Sequence, residues 1–445
     1  MKSSLSKLKK LLDAELINSD SQFDGISIDS RTIESGNLFI AIKGYNFDGH
    51  NYINNAISKG ASAIISERKI DNIPQLVVKN TMIALGKIAQ QHINQLNPLS
   101  IAVTGTNGKT SVTKLIHSIL NENKNALTNY GNFNNHIGVP LSIFKLNTNH
   151  KYCVLEMGAS VKDDIKYLCE IVNPKIVTLL NVSAAHIESF GSFENILLTK
   201  EEILIDQGFS KTVILNKDDK NFLRWKKIVN NHNLVTISIK NNADYSIKSI
   251  IGNELNIKLP NNQLLQLLLK DNHIKFIENI LIAVACSHQA GASIQNIVDG
   301  YTNYKGIKGR FYLYDGIKNS IIIDDSYNAN PSSMKRSLDS LSSMAGNHWF
   351  VMGDMGELGS ESEKFHQDVV KYAKQLRIEK LFYIGQFEKI VKETFGNNVH
   401  CFDDKHSLVE FIRTKLHKDV NILVKASRFM KFEDIVMQLI NTENK

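Results

Sequence analysis

Short apolar runs and stretches with apolar residues every third or fourth position alternate along most of this chain, predicting strands and helices in turn. Ile101–Val103 reads as a buried strand, and Val112, Leu115, Ile116 and Ile119 then fall at helical spacing. Further strands are predicted at Tyr152–Glu156, 176–180 and 212–215, with helices at Asp164–Val172 and 193–205. The run 280–285 is apolar all round, as in a buried helix. Before these, a basic helix mixes with short strands near 38–42 and Ala63–Ser66, and 83–93 reads as a linking helix. After residue 308 the alternation resumes, with strands at 320–323, 349–352, Lys380–Ile384 and 421–424 and a helix at Ser362–Gln375.

Alternation of this kind predicts mostly parallel sheets covered by helices, with ligands at the carboxyl ends of the strands. The expected fold is α/β in three domains. A small α/β substrate domain covers 1–79, a central P-loop-type, mostly parallel sheet domain covers 80–308, and a Rossmann-like domain covers 309–445. At 445 residues the chain is too long for one ordinary core.

The sharpest chemical signal lies between the first predicted strand and helix of the central domain. T-G-T-N-G-K-T at 104–110 brackets a tight turn with Gly105 and Gly108. Such a turn bares backbone N–H groups at a positive helix end, where an anion binds. Lys109 would reach the β- and γ-phosphates, and the Thr110 hydroxyl can ligate Mg²⁺. The spacing is more compact than G-x-x-x-x-G-K-[ST], since Val103 stands where that pattern has its first glycine. Composition adds little: 42% apolar residues, 22% charged and a net charge of +7 describe a globular protein. The basic residues are scattered without interleaved aromatics, which argues against nucleic acid and for small anionic substrates. Lysines interrupt every apolar run near the N-terminus, so no signal peptide is expected, and no apolar stretch approaches the ~18 residues a membrane span needs. Four widely spaced cysteines form no C-x-x-C pair; Cys153 and Cys286 are expected as buried thiols, as suits a cytoplasmic protein.

Other polar positions carry two readings each. Glu156 ends a strand before Gly158; it either caps a turn or, beside a phosphate loop, ligates a metal, and the metal reading is the stronger. His186 follows another strand, and spacing alone does not decide between a structural and a catalytic role. Lys200 would ordinarily be a helix-face charge; carbamoylated, it would present two oxygens to a metal. Asp29-Ser30-Arg31 and 44–50, with Asp48 and His50, are turns or the hold on a phosphorylated substrate. Asn216-Lys217-Asp218-Asp219 matches a guanine-reading N-K-x-D, but no D-x-x-G lies between 140 and 200, so a GTPase is excluded. In the third domain, 324–331 and 353–359 are dense polar loops expected on adjacent strand ends, which argues for a site.

Taken in order these residues resemble the Mur ligase family, from about Asp29 to Asp434. The landmarks are D-S-R at 29–31, D-G-H at 48–50, G-N-F-N-N-H-I-G-V-P at 131–140, E-M-G at 156–158 and A-H-I-E-S-F-G-S at 185–192. They continue with K-E-E at 200–202, G-R at 309–310, D-D-S-Y-N-A-N-P at 324–331, G-D-M-G-E-L-G at 353–359 and K-A-S-R at 425–428. The D-N-P-R of the diamino-acid-adding branch is absent, and Y-N-A-N-P with M-G-E-L-G looks like the dipeptide-adding branch. The resemblance implies ATP-driven joining of D-alanyl-D-alanine to UDP-N-acetylmuramoyl-tripeptide, with Mg²⁺, through an acyl phosphate, by a monomer.

By the same resemblance Thr104, Gly105, Thr106, Asn107, Gly108, Lys109 and Thr110 would hold ATP phosphates. Thr110, Glu156, His186 and a carbamoylated Lys200 would hold Mg²⁺; Lys109, Glu156, His186 and Lys200 form the implied catalytic set. Asn279 would contact the adenine side, and Arg310 and Asp325 would reach the nucleotide from the third domain. Ser30, Arg31, Asp48 and His50 would face the UDP-sugar, Asn134 and Asn135 the muramoyl-peptide, and Asn328, Asn330 and Asp354 the dipeptide. Two positions depart from the family pattern. The segment 273–279 keeps only the final asparagine of G-x-H-N-x-x-N, and Ala426 replaces the glycine of K-G-S-R. The alternatives are a Mur ligase that adds a diamino acid or glutamate, a non-catalytic nucleotide-binding relic, and a simple ATPase or kinase, which the first-domain landmarks disfavour.

Overall fold

In the computed structural model, residues 1–44, 47–184, 187–205, 208, 210–270 and 276–441 are described, and their strands form three main sheets in succession along the chain. The first sheet runs Glu15–Ile17, Gln75–Val77, Ala63–Ser66, Leu38–Ile40, Ile26–Ser27, antiparallel only at the first pair. The basic helix is Leu5–Leu12, which buries Leu5, Leu8 and Leu12 and leaves its lysines outward.

The linking helix is longer than its apolar periodicity predicts, spanning Thr81–Leu96, because the Asn80 side chain accepts from the Ile83 N–H and caps it. Its buried face, Leu85, Ile88 and Ile93, shares one apolar cluster with Leu38 and Ile40 of the first sheet and Ile165 and Val177 of the central unit. Each such side chain removed from water contributes roughly 1.5–3 kcal/mol, so the first two units are joined by a core rather than a tether.

The central sheet begins Ala126–Thr128, Tyr152–Glu156, Leu99–Thr104, Ile176–Leu179, Thr212–Asn216, Asn233–Ser238 and Tyr245–Ile251, all parallel. Glu254–Lys258 and Leu264–Leu268 extend it antiparallel. Sequence periodicity does not predict that extension. Leucines stand on both faces of Leu264–Leu268, with Leu265 and Leu267 inward and Leu264 and Leu268 outward, and this masks the period of two. The strand that feeds the phosphate loop lies between two parallel neighbours, and register sets Glu156 opposite Val103, one residue short of the loop. The apolar run at 280–285 lies within a helix, Ile277–Gln289, buried along nearly its whole length.

The third sheet runs Tyr312–Asp315, Ile321–Asp324, Val420–Lys425, Asn347–Gly353, Lys380–Ile384, Val399–Cys401, antiparallel only at the first pair. The polar loops at 324–331 and 353–359 are therefore not on adjacent strand ends, contrary to expectation. The last strand returns to the middle of the sheet and separates them, which brings Lys425 between the two loops. Cys153, Cys169 and Cys286 are buried free thiols. Among the described residues no helix is long and apolar enough to cross a membrane.

Candidate active site

The phosphate loop takes its shape from two glycines and one asparagine. Gly105 and Gly108 have φ of 146° and 89°, and a Cβ on Gly105 would lie 2.9 Å from that of Leu180. Asn181, just past the neighbouring strand, receives the Thr106 N–H on its carbonyl (2.8 Å) and the Asn107 N–H on its Oδ1 (3.0 Å). Its own amide nitrogen donates to the Asn107 carbonyl (3.0 Å). The Gly108, Lys109, Thr110 and Ser111 amides opening the helix Lys109–Leu120 find no backbone or side-chain acceptor among the described residues. They form an anion-binding end of the kind the motif requires. Lys109 folds over the loop, donating to the carbonyls of Gly105 (2.9 Å) and Thr106 (3.2 Å). Burial lowers its pKa, and Glu156 opposes that shift. Thr104 donates to the Met157 carbonyl (2.8 Å), locking the loop's strand to that of Glu156.

Glu156 is buried. The Thr110 hydroxyl donates to its Oε2 (2.6 Å) and the Asn134 amide to its Oε1 (2.7 Å), while its backbone N–H goes to Asn129 Oδ1 (2.6 Å). The hydroxyl and carboxylate oxygens are hard donors beside the loop, a pair that suits Mg²⁺. Among the described residues no group of three His, Cys, Asp or Glu side chains gathers as metal ligands. His186 lies outside the described residues, as do 273–275 of the segment that departs from the family pattern.

Lys200 ends the helix Phe193–Glu201 with its amine toward the cleft and no hydrogen-bond partner among the described residues. Burial, aided by the charge of Lys109, brings its pKa down to about 7. The two acids that follow hold it there. Glu201 pairs with Arg224 (2.7 Å) and accepts from the Trp225 indole (3.0 Å), and Glu202 accepts the N–H groups of Asp163 (2.7 Å) and Lys166 (3.0 Å).

The third domain closes the cleft. Arg310 lies over the Tyr327 ring at 4.1 Å. Asp325 binds the Lys425 ammonium (2.6 Å), the Ser337 hydroxyl (2.5 Å) and the Phe311 N–H (3.1 Å). Asn328 accepts from the Ala329 N–H, and Asn330 caps the helix Pro331–Ser342. Asp354 does not line the cleft. It is buried, bonded to the Tyr383 hydroxyl and the Gln386 N–H (3.0 Å), and it supports the strand ends from below. Asn279 packs against Gly108 and lies on two hollows. One, of about 380 Å³, holds the loop, Lys200, Arg310 and Asp325; the other, of about 310 Å³, is lined by Leu115, Ile280, Tyr304 and Phe311.

In the first domain Arg31 is exposed and paired with Asp29 (2.7 Å), and Ser30 is buried beside it. His50 is buried with both ring nitrogens committed, Nδ1 to Asp48 (2.6 Å) and Nε2 to the Glu67 N–H (2.9 Å). Glu67 in turn accepts the Thr81 N–H (3.0 Å) at the start of the linking helix, so D-G-H braces the seam between the first two units. Asn135 accepts the Gly138 N–H (2.8 Å) at the start of Gly138–Ile143. Asp219, the acid of N-K-x-D, accepts the Asn221 N–H (2.8 Å) and side-chain amide (3.1 Å), and Asp218 at the x position accepts from Ser238, Asn241 and the N–H groups of Ile239 and Lys240, so both play structural roles.

Sequence reasoning missed Arg336. Its guanidinium faces the cleft without a hydrogen-bond partner among the described residues; burial lowers its pKa, and Glu278 and Asp325 oppose that. The signal was available, since Ser333, Arg336, Ser337 and Ser340 fall on one face of their helix.

A mostly parallel sheet carrying a glycine-bracketed loop with open helix-end amides, a smaller α/β domain fused to it by a shared core and a third α/β domain over the same cleft define the class. Family models described as "Mur ligase family, catalytic domain", "Mur ligase middle domain" and "Mur ligase, glutamate ligase domain" match residues 22–107, 103–287 and 309–428. The chain belongs to the Mur ligase family. It is 33% identical over 444 residues, 98% of each chain, to the UDP-N-acetylmuramoyl-tripeptide--D-alanyl-D-alanine ligase of Escherichia coli K12. Among solved structures it is similar to MurF from Acinetobacter baumannii, with a TM-score of 0.90 at 29% identity covering 99% of both chains. It is also similar to the MurF ligase of Thermotoga maritima in complex with ADP, with a TM-score of 0.82 at 27% identity covering 93% of this chain and 96% of that one.

Proposed function

We propose that the chain is an ATP-dependent ligase joining D-alanyl-D-alanine to UDP-N-acetylmuramoyl-tripeptide, giving ADP, phosphate and the UDP-muramoyl-pentapeptide precursor of peptidoglycan. One observation carries the reading. In a chain similar along nearly its whole length to ligases of that name, four open loop amides, Lys109, the Thr110–Glu156 pair and Lys200 face one cleft under the third domain.

The loop amides and Lys109 neutralise the γ-phosphoryl group as it moves to the tripeptide carboxylate. That carboxylate is a poor electrophile until phosphorylation supplies a leaving group. The acyl phosphate so formed is attacked by the D-alanyl-D-alanine amine; the C–N bond forms as the C–O bond to phosphate breaks, and the amine's surplus proton goes to solvent or phosphate. Mg²⁺, held by Thr110 and Glu156, would supply positive charge to the phosphate oxygens. The near-neutral amine of Lys200 suits addition of CO₂, which yields a carbamate and a proton and would provide further oxygen ligands. The apolar hollow beside Asn279 and Arg310 fits an adenine ring, and Arg31 at the first-domain surface fits the diphosphate of the sugar nucleotide. Synthesis of such a precursor belongs in the cytoplasm, and the cleft is lined by residues of one chain, which fits a monomer.

The test is phosphate release from ATP with the tripeptide and, separately, D-alanyl-D-alanine, a diamino acid and glutamate, using ¹⁸O in the tripeptide carboxylate. Release only with the dipeptide, with label in the phosphate, is expected. Unlabelled phosphate would rule out the acyl phosphate, and equal release with another amine would overturn the substrate assignment.

A further inference from the structure

The side chain of Asn107, at the tip of the phosphate loop, is bonded across the seam to the third domain. Its nitrogen donates to the hydroxyls of Ser332 (2.8 Å) and Ser183 (3.3 Å), and its oxygen accepts from the Asn330 amide (2.9 Å). The Ser183 and Ser332 hydroxyls lie 2.8 Å apart and complete a closed ring of polar contacts. Ser332 and Asn330 belong to the third domain, while Asn107 and Ser183 belong to the central one. A phosphate oxygen only accepts hydrogen bonds, and both Asn107 side-chain donors are committed, as is its backbone N–H to Asn181. Asn330 is held by the same ring: its oxygen accepts the Ser333 N–H (2.9 Å) that caps the helix Pro331–Ser342 and the Ser332 hydroxyl (3.0 Å), and its nitrogen donates to Asn107.

We propose that Asn107, Asn330, Ser332 and Ser183 form an interdomain latch. Through it the third domain sets the shape of the phosphate loop, making Asn107 a positioning residue rather than a phosphate ligand and Asn330 its partner rather than a dipeptide ligand. The inference rests on the ligase reading above and adds a coupling to it. The N-cap that holds the loop tip also starts the helix whose Ser333, Arg336 and Ser337 line the cleft, so docking of that helix and ordering of the loop are one event. Hydrogen bonds bridging two rigid elements in a part-buried seam act as a unit, and removing either side should forfeit the same contribution.

The experiment compares Asn107→Ala, Ser332→Ala and the double variant by steady-state kinetics, by equilibrium binding of a non-hydrolysable ATP analogue and by small-angle scattering of the unliganded full chain. Ser332→Ala leaves the Asn330 cap in place and so guards against a folding artefact. Each single variant should lower kcat on the order of tenfold, with the double variant no worse than about twofold beyond the weaker single. Analogue affinity should stay within about threefold in Ser332→Ala, and both singles should show a larger radius of gyration than the parent. Losses that multiply, or an Asn107→Ala variant that loses analogue binding in step with turnover while Ser332→Ala behaves as the parent, would overturn the latch. If the parent itself does not join the dipeptide, the ligase reading fails, and scattering still judges the latch: variants as compact as the parent refute it.

Discussion

Among the described residues Asp325 is the sole acid hydrogen-bonded to the buried Lys425, whose ammonium also reaches the Asn328 carbonyl (3.0 Å). Burial lowers the Lys425 pKa, Asp325 opposes that shift, and Arg310 and Arg336 add to it. Asp325→Asn keeps the shape and removes the charge, leaving three cations around a neutral amide. Removing one partner of a buried pair costs about 3–5 kcal/mol. In a domain of this size that lowers the melting temperature by on the order of 10 °C. The pH dependence follows from Lys425. In the variant its folded pKa falls further below the unfolded value, so between the two the unfolded state binds more protons and stability rises with pH. The deficit of Asp325→Asn against the parent should therefore shrink as pH is raised from 7 toward 10, and adding Lys425→Met should restore most of it. Calorimetry over that range decides. A variant melting within about 2 °C of the parent at pH 7 would show that the pair carries no net stability.

Two further outcomes follow from how the other predicted residues are held. Rigorous removal of CO₂ and bicarbonate should cut turnover at least tenfold with return on re-addition, since without the carbamate Lys200 offers Mg²⁺ no oxygen donor; turnover indifferent to CO₂ counts against the carbamate. His50→Ala should destabilise the first unit by about 1–3 kcal/mol by orphaning the Asp48 and Glu67 contacts, while Arg31→Ala should leave stability nearly unchanged and raise the KM for the sugar nucleotide. The reverse assignment, a stable His50→Ala with a raised KM, would return His50 to the role of a direct ligand.

The sequence by itself determined the elements with a local cause. Apolar runs and helical spacing placed the strands at Tyr152–Glu156 and Lys380–Ile384 and the helices at Asp164–Val172 and Ser362–Gln375 with the bounds the structure shows. The compact glycine motif located the helix end with open amides, because φ above zero and unpaired first-turn N–H groups are properties of a few consecutive residues. The tertiary structure alone decided which side chains remain free to act. Asp354 and His50 have the composition of ligands but are consumed by Tyr383, Gln386, Asp48 and Glu67, partners up to 32 positions away in the chain. Lys425 reaches Asp325 only because the last strand inserts at the centre of its sheet, and Asn107 meets Ser332 only because two domains close on one seam. Hydrogen-bond capacity is finite, and how each polar group divides it is settled by long-range pairing that no local pattern encodes.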